Sequence, residues 1–328
     1  MDKSEHVWAV VLAAGDGRRL RRFTTTRTGL TIPKQFCSLD RGPSLLQEAL
    51  QRAAAVAAAE RICAIVAAQH RRWWLAQLDG VPRQNIVVQP QNRGTANGVL
   101  LPLLTILERD PQARIIVMPS DHYLRDEARL ARTLHYAATP SDRAGAEILL
   151  LGLEPQDADS ELGYIVPRRN AGQVHHAVAR FVEKPDTLQA QTLLKEGALW
   201  NSFILAADGL ALLKLFERRV PEIVAGMRDV LGCAEHNAHE ALAELYETLP
   251  DLDFSRCILQ GQEQYLRVLP VPECGWSDLG TPQRVARTLH DLIRVERRAS
   301  FASVGRRTLL SLAAQHRRLG GRAHADVR

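Results

Sequence analysis

An α/β fold with a mixed, mainly parallel sheet flanked by helices is predicted by three features of this sequence. Short apolar runs recur along the chain, helical stretches alternate with them, and the first run closes on a glycine turn, Gly15-Asp16-Gly17. Val7–Ala14 reads as a buried first strand entering that turn. An Ala-rich helix over Leu45–Ala59, a strand over Ile62–Ala68, a strand over Asn85–Gln89 and a helix over Thr95–Glu108 follow. A fourth strand, Arg114–Pro119, ends at Ser120-Asp121-His122. Ligands of such sheets sit beyond the carboxyl ends of the strands, so the glycine turn and Asp121 mark a candidate rim. The second half is more mixed. Strands are expected over Glu147–Leu153, Gly163–Val166, Val178–Glu183, Leu199–Ala206 and Tyr265–Val271. Helices are expected over Thr187–Glu196, Asp208–Glu217, around Glu240–Thr248, and over Pro282–Arg294 as a closing element. No linker or internal repeat interrupts the pattern, so residues 1–295 read as one catalytic domain and 296–328 as a basic C-terminal helix and frayed tail.

Composition narrows the function classes. The 46% hydrophobic and 24% charged content is that of a globular chain with a real core. A net charge of +5 invites a nucleic-acid reading, but the arginines are dispersed, aromatics are only 5%, and no binding motif appears. The same sign of charge suits an enzyme of polyanionic small molecules. The five cysteines are odd in number and none are spaced as a metal or redox pair. With no signal peptide and no apolar run of membrane-spanning length, a reduced, cytoplasmic chain is expected, with neither nucleic acid nor membrane as partner.

The segment Leu12-Ala-Ala-Gly-Asp-Gly-Arg-Arg-Leu20 carries the first chemistry. A glycine turn after a buried strand brings backbone N–H groups close to a phosphate, though a plain β–α connection looks the same. It lacks the Gly-Lys-Ser/Thr end of a P-loop, and Leu20 stands where a dinucleotide fingerprint has its third glycine, which argues against a nicotinamide-dependent dehydrogenase. Lys34, in Ile32-Pro-Lys-Gln-Phe36, follows Arg19 downstream, and the two cations make a cradle for a triphosphate. Asp121 and Asp278, each after an expected strand, are the carboxylates suited to Mg²⁺, which takes hard oxygen ligands and shares them with substrate phosphates. A helix N-cap at Asp121 and a turn residue at Asp278 are the competing structural roles.

These segments together resemble, in family order, the sugar-phosphate nucleotidyltransferases. Pro33-Lys34-Gln35-Phe36 is similar to the form found in the mannose-1-phosphate guanylyltransferase (GDP-mannose pyrophosphorylase) branch. Val88-Gln-Pro-Gln-Asn-Arg-Gly-Thr-Ala96 resembles the nucleotide-contacting segment, and Val117-Met-Pro-Ser-Asp-His122 and Gly275-Trp-Ser-Asp-Leu-Gly280 the two metal segments. Gly163-Tyr164-Ile165, Phe181-Val-Glu-Lys-Pro185 and Leu199-Trp-Asn-Ser202 resemble the sugar-phosphate and sugar segments. The likeness covers roughly residues 7–290. It implies a Rossmann-like sheet of the nucleotide-diphospho-sugar transferase type, GTP and mannose 1-phosphate as substrates, Mg²⁺ as cofactor, and leaves a homo-oligomer open.

Carried over residue by residue, the resemblance gives Arg19 to the β,γ-phosphates, Lys34 to the triphosphate near the reacting centre and Lys184 to the sugar phosphate. Gly15, Gly17, Gln89, Gly94 and Thr95 would lie along the nucleotide, Glu161, Gly163 and Asn201 would read sugar hydroxyls, and Asp121 and Asp278 would hold the metal. Local backbone capping competes for Gln89 and Asn201, a solvated turn position for Lys184, and core packing for Trp200 and Trp276. Two departures stand out. Arg18 replaces the family's common small or hydroxyl residue, and the loop 20–32 is longer, basic and Thr-rich. A reshaped phosphate grip, or a loop ordered only by nucleotide, is expected there. No C-terminal isomerase domain like that of longer bifunctional relatives is expected. Two rivals remain: the same chemistry with another pair, such as glucose 1-phosphate with UTP or dTTP, and a non-catalytic nucleotide-sugar sensor.

Overall fold

The structure, a computed structural model, describes residues 3–40, 42–139 and 148–294. The chain divides into two compact units, Met1–Gly280 and Thr281–Arg328. Of the second unit, only a helix over residues 282–294 is described, and the expected tail at 296–328 lies outside the described residues.

The first unit is a nine-stranded sheet in the order β3-β2-β1-β4-β8-β5-β9-β7-β6. Its strands are β1 (Val7–Ala13), β2 (Ile62–Ala67), β3 (Ile86–Gln89), β4 (Arg114–Pro119), β5 (Ile148–Leu153), β6 (Gly163–Arg168), β7 (His176–Glu183), β8 (Leu199–Asp208) and β9 (Leu266–Val271). The helices are α1 (Arg21–Thr24), α2 (Leu45–Ala54), α3 (Arg71–Trp74), α4 (Gly94–Arg109), α5 (Glu127–Ala138), α6 (Thr187–Lys195), α7 (Gly209–Arg219), α8 (Pro221–Leu231) and α9 (Glu235–Thr248). Every expected strand is found within a residue or two. Four helices had not been expected: the single turns α1 and α3, and the longer α5 and α8. α5 is started by an Asp126 cap that accepts from the Arg129 N–H, and α8 by Pro221 at its first position.

Strands β3, β2, β1 and β4 are parallel, as the alternation of strands and helices requires. The departure comes at β8, which runs antiparallel between β4 and β5, so the sheet is mixed beyond β4. Because successive side chains alternate between faces, β1 feeds two cores. Trp8 and Val10 join a cluster with Leu100, Leu103 and Phe216 on one face; Val7, Ala9 and Val11 join Leu46, Leu130 and Leu134 on the other. Helices on both faces explain why β2 is buried throughout and reads as one apolar run.

Candidate active site

The site is laid out along the carboxyl ends of the parallel strands. After β4 the Ser120 hydroxyl and N–H both donate to the Leu12 carbonyl, at 2.6 and 3.1 Å, which ties the ends of β4 and β1 together. Tyr123 and Ser277 then form an antiparallel bridge, exchanging two N–H···O bonds of 2.9 Å. That bridge sets the segment of Asp121 beside the segment of Asp278, 157 positions away in the chain (278 − 121).

Lys34 joins these pieces. Its buried ammonium lies 2.9 Å from Asp121 Oδ2 and donates to the Asp278 carbonyl at 2.6 Å. Burial by itself would raise the Asp121 carboxyl, but the Lys34 ammonium, with His122 and Arg19 beyond it, holds that carboxyl below its ordinary value. The glycine turn is fitted to the same lysine. Gly17 has φ +60°, and a Cβ there would come within 3.0 Å of the Lys34 nitrogen of the main chain. His122 is also lowered, but by burial, which outweighs the attraction of Asp121 and takes it to about 4, so it is neutral at pH 7. Its Nδ1 accepts from the Trp276 indole N–H at 3.2 Å, which leaves its proton on Nε2.

Two hollows open on this rim. One, of about 480 Å³, is lined by Arg19, Lys34 and Lys184, by Gly17, and by Asp16, Asn92, Asp121 and Asp251. The other, of about 330 Å³, is lined by Gly15, Gln89, Gly94, Thr95, Gly98, Asp251 and Asp253, among others, and holds no lysine or arginine. Asn92, Asp121 and Asp251 border both. The cations therefore gather on one side, while carboxylates line both. Among the described residues three non-glycine positions have positive φ, and all three line these hollows: Lys184 (+48°), Leu279 (+49°) and Phe203 (+60°). Backbone strain of this kind persists where surrounding structure over-determines it, commonly at working sites. At Phe203 it coincides with a bulge in the β5–β8 ladder between Leu150 and Gly152.

Glu161, Gly163 and Asn201 stand apart from the hollows, and other expected residues are tied to the fold around them. Arg19 Nη1 lies 2.9 Å from Glu161 Oε2, so the residue expected on the phosphates and one expected on the sugar pair with each other. Gly163, Asn201 and Glu183 form a second cluster. A Cβ at Gly163 would meet Glu183 Oε2 at 2.5 Å and the Asn201 Cβ at 3.3 Å. Asn201 donates to Ser255 Oγ at 3.3 Å and accepts from the Phe203 N–H at 3.1 Å, which is the local capping role. Thr95 accepts from the Phe254 N–H at 2.8 Å. Trp200 and Trp276 pack with the core, their rings 6.4 Å apart.

The Arg18 side chain lies outside the described residues. The long basic loop folds as a short hairpin rather than an irregular segment. Thr25 bridges Thr31, the Ile32 N–H donates to the Thr24 carbonyl at 3.0 Å, and a turn closes at Gly29, whose φ is +80°. Sequence reasoning gave no role to Asp251 and Asp253, whose loop carries no pattern of its own, or to Phe203, read only as part of a strand; Asn92 and Leu279 lay in recognised segments but were given no role. Glu183 sat in a recognised segment without a role. Burial, with Asp253 nearby, raises its carboxyl to about 7.

A model of the family described as nucleotidyl transferase matches residues 8–293, nearly the whole chain. The chain belongs to the nucleotidyl transferase family. The chain is 28% identical over 281 residues to xanthan biosynthesis protein XanB of Xanthomonas campestris, covering 84% of this chain and 58% of that one. It is 27% identical over 292 residues to the mannose-1-phosphate guanylyltransferase RfbM of Salmonella typhimurium, covering 83% and 56%. The chain thus spans little more than half the length of these curated relatives. A solved structure described as mannose-1-phosphate geranyltransferase from Thermus thermophilus aligns with a TM-score of 0.72 at 26% identity, over 84% of this chain and 76% of that one. The Rossmann-like, mixed α/β architecture of the chain is the one that this solved structure shares. Among the described residues no helix is long and apolar enough to cross a membrane.

Proposed function

We propose that the chain transfers a guanylyl group from GTP to α-D-mannose 1-phosphate, giving GDP-mannose and pyrophosphate. The observation that carries this reading is the pair of hollows meeting at Asp121, one lined by three cations and the other free of them. A nucleoside fits the cation-free side and its phosphates the cationic side. A phosphate oxygen of the sugar phosphate attacks the α-phosphorus in line, and the bond from that phosphorus to the departing pyrophosphate breaks. The attacking phosphate is largely ionised at neutral pH, since its second pKa is near 6, so no general base is needed. What the protein supplies is position and charge neutralisation.

Arg19 and Lys34 face the triphosphate in this reading, and Lys184 the incoming sugar phosphate. Gly15, Gly17, Gln89, Gly94 and Thr95 border the nucleotide, and Glu161, Gly163 and Asn201 belong to the sugar side. Asp121 and Asp278 fit a magnesium ion by their donor chemistry: two carboxylate-bearing segments laced together beside the phosphate hollow. Bound there, Mg²⁺ would neutralise charge on the phosphoryl oxygens. The five cysteines are unpaired, as a reducing compartment such as the cytoplasm allows. The GTP and mannose assignments are supported by the relatives named guanylyltransferases.

Pyrophosphate release tests the proposal. The purified chain with Mg²⁺ is given GTP, ATP, UTP, CTP or dTTP, each with mannose 1-phosphate or glucose 1-phosphate. Release mainly from GTP with mannose 1-phosphate is expected. Release confined to UTP or dTTP would sink the guanylyl assignment, and no release from any pair would favour a sensor.

A further inference from the structure

The cation-free hollow has acceptors to spare. Gln89 is 1% exposed, lines the hollow, and its Oε1 has no hydrogen-bond partner. A buried acceptor left without a donor is costly, so this oxygen points to a ligand N–H. Helix α4 leaves it uncovered. Gly98, in the middle of that helix, offers only hydrogen where a side chain would stand, and a Cβ there would meet nothing nearer than Gln89 Oε1 at 3.9 Å. Glycine inside a helix is unfavourable relative to alanine, and here the open face lines the hollow. One turn earlier Gly94 begins the helix with φ +82°, and Asp251 lies against it, its Oδ1 2.5 Å from where a Cβ would be. The position of Asp251 is fixed through its neighbours. The Leu252 N–H donates to the Arg93 carbonyl at 3.3 Å, the Ala96 N–H to the Leu252 carbonyl at 2.9 Å, and Asn97 Nδ2 to the Pro250 carbonyl at 3.0 Å. Asp253, by contrast, already accepts from the Arg256 N–H at 2.9 Å.

The bases differ in what they offer such a wall. Guanine places two donors on adjacent atoms, the N1–H and the N2 amine. Adenine and cytosine set an amine beside an acceptor nitrogen, and uracil and thymine flank a single N–H with two carbonyls. An unpaired amide oxygen, and a carboxylate that lines this hollow and also borders the cationic one, offer two acceptors that suit the first pattern and repel the last. We propose that Asp251 is a specificity residue for the donor nucleotide, accepting the guanine N2 amine while Gln89 Oε1 accepts N1–H. The inference rests on the reading of the donor as GTP. A purely structural role is the competing account: a carboxylate near the positive end of α4 steadies the helix. That role would act on every nucleotide alike.

Inosine triphosphate separates the two, since it keeps N1–H and the 6-oxo group and lacks only the N2 amine. The measurement is kcat/KM for GTP and for ITP, with saturating mannose 1-phosphate, in the wild type, D251A and D251N. The wild type should prefer GTP about ten- to a hundredfold, as one well-placed base contact gives. The GTP-to-ITP ratio should fall at least about tenfold in D251A and by less in D251N, which keeps one acceptor oxygen. Because the ratio is taken within one variant, a general loss of folded protein cancels. Equal loss on both nucleotides, or a wild type that does not distinguish them, overturns the assignment to Asp251 and leaves the GTP reading standing. Turnover with UTP or dTTP and none with GTP overturns both.

Discussion

Replacing Lys34 by methionine keeps the aliphatic stem in place and removes only the charge. The structure gives that charge two tasks: a 2.9 Å ion pair with Asp121 and a 2.6 Å bond to the Asp278 carbonyl. Breaking a fully buried pair costs about 3–5 kcal/mol, because the surviving charge is left uncompensated. Asp121 is not fully buried, its side chain being 38% exposed, so water screens part of that loss and about 2–3 kcal/mol is the fitting figure. In a chain of this size that corresponds to a fall in melting temperature of roughly 3–5 °C. The acid limb tells the same story. Asp121 is held below its ordinary 3.8, so its stabilisation is present above that pH and is lost as pH falls through the lower, folded value. The gap between wild type and K34M should therefore narrow as the melting experiment is moved below about pH 4. Turnover should fall by about 10²–10³-fold, the cost of deleting one preorganised charge at a reacting phosphate. Arginine should not restore it, because a planar fork cannot replace a compact ammonium in this buried position. A variant melting within about 1 °C of wild type and turning over within about tenfold would show that Lys34 neither braces the rim nor serves the reaction.

The other perturbations test separate parts of the site. Gly163→Ala puts a methyl group 2.5 Å from Glu183 Oε2, so KM for the sugar phosphate should rise about tenfold or more while KM for the nucleotide moves little; steady-state kinetics with each substrate varied in turn decides it, and equal effects on both would refute a sugar-side cluster. Gly94→Ala meets the Leu252 carbonyl at 2.3 Å on a backbone of φ +82°, so a loss of about 2 kcal/mol or more is expected in denaturant unfolding; a neutral result would mean that segment 250–254 yields freely. Glu183 rises from an ordinary 4.5 to about 7, so the unfolded chain releases this proton first and stability declines as pH rises from about 4.5 to 7. E183Q should remove that slope and stabilise the chain above pH 7 by up to about 3 kcal/mol; a melting profile with an unchanged slope would count against it.

Much of this protein is written in its local pattern. The strand over Arg114–Pro119 was placed to the residue, and β1 with its glycine turn within one, because buried strands between helices must read as apolar runs. Lys34 was legible as a candidate from its pairing with Arg19 after the glycine turn, Asp121 from its place after a strand, and Lys184 from the resemblance alone. Gly17 was legible from the turn that closes the first strand, where only glycine sits easily at φ +60° against another main chain. Other features needed the tertiary structure. The insertion of β8 between β4 and β5, antiparallel to both, is a matter of long-range pairing that no local period encodes. Asp278 meets Lys34 across 244 positions of chain, held by the Tyr123–Ser277 bridge and by the Lys34 bond to its carbonyl. Asp251 sits in a loop whose sequence, Leu-Pro-Asp-Leu-Asp, is that of many solvated turns; it becomes part of a hollow because that loop is hydrogen-bonded onto the start of α4. Sequence determines which groups are available and which faces they take along each element. Which of them share a cavity, and whether a buried oxygen is left wanting a donor, depends on contacts between segments far apart in the chain, and those exist only once the sheet has closed.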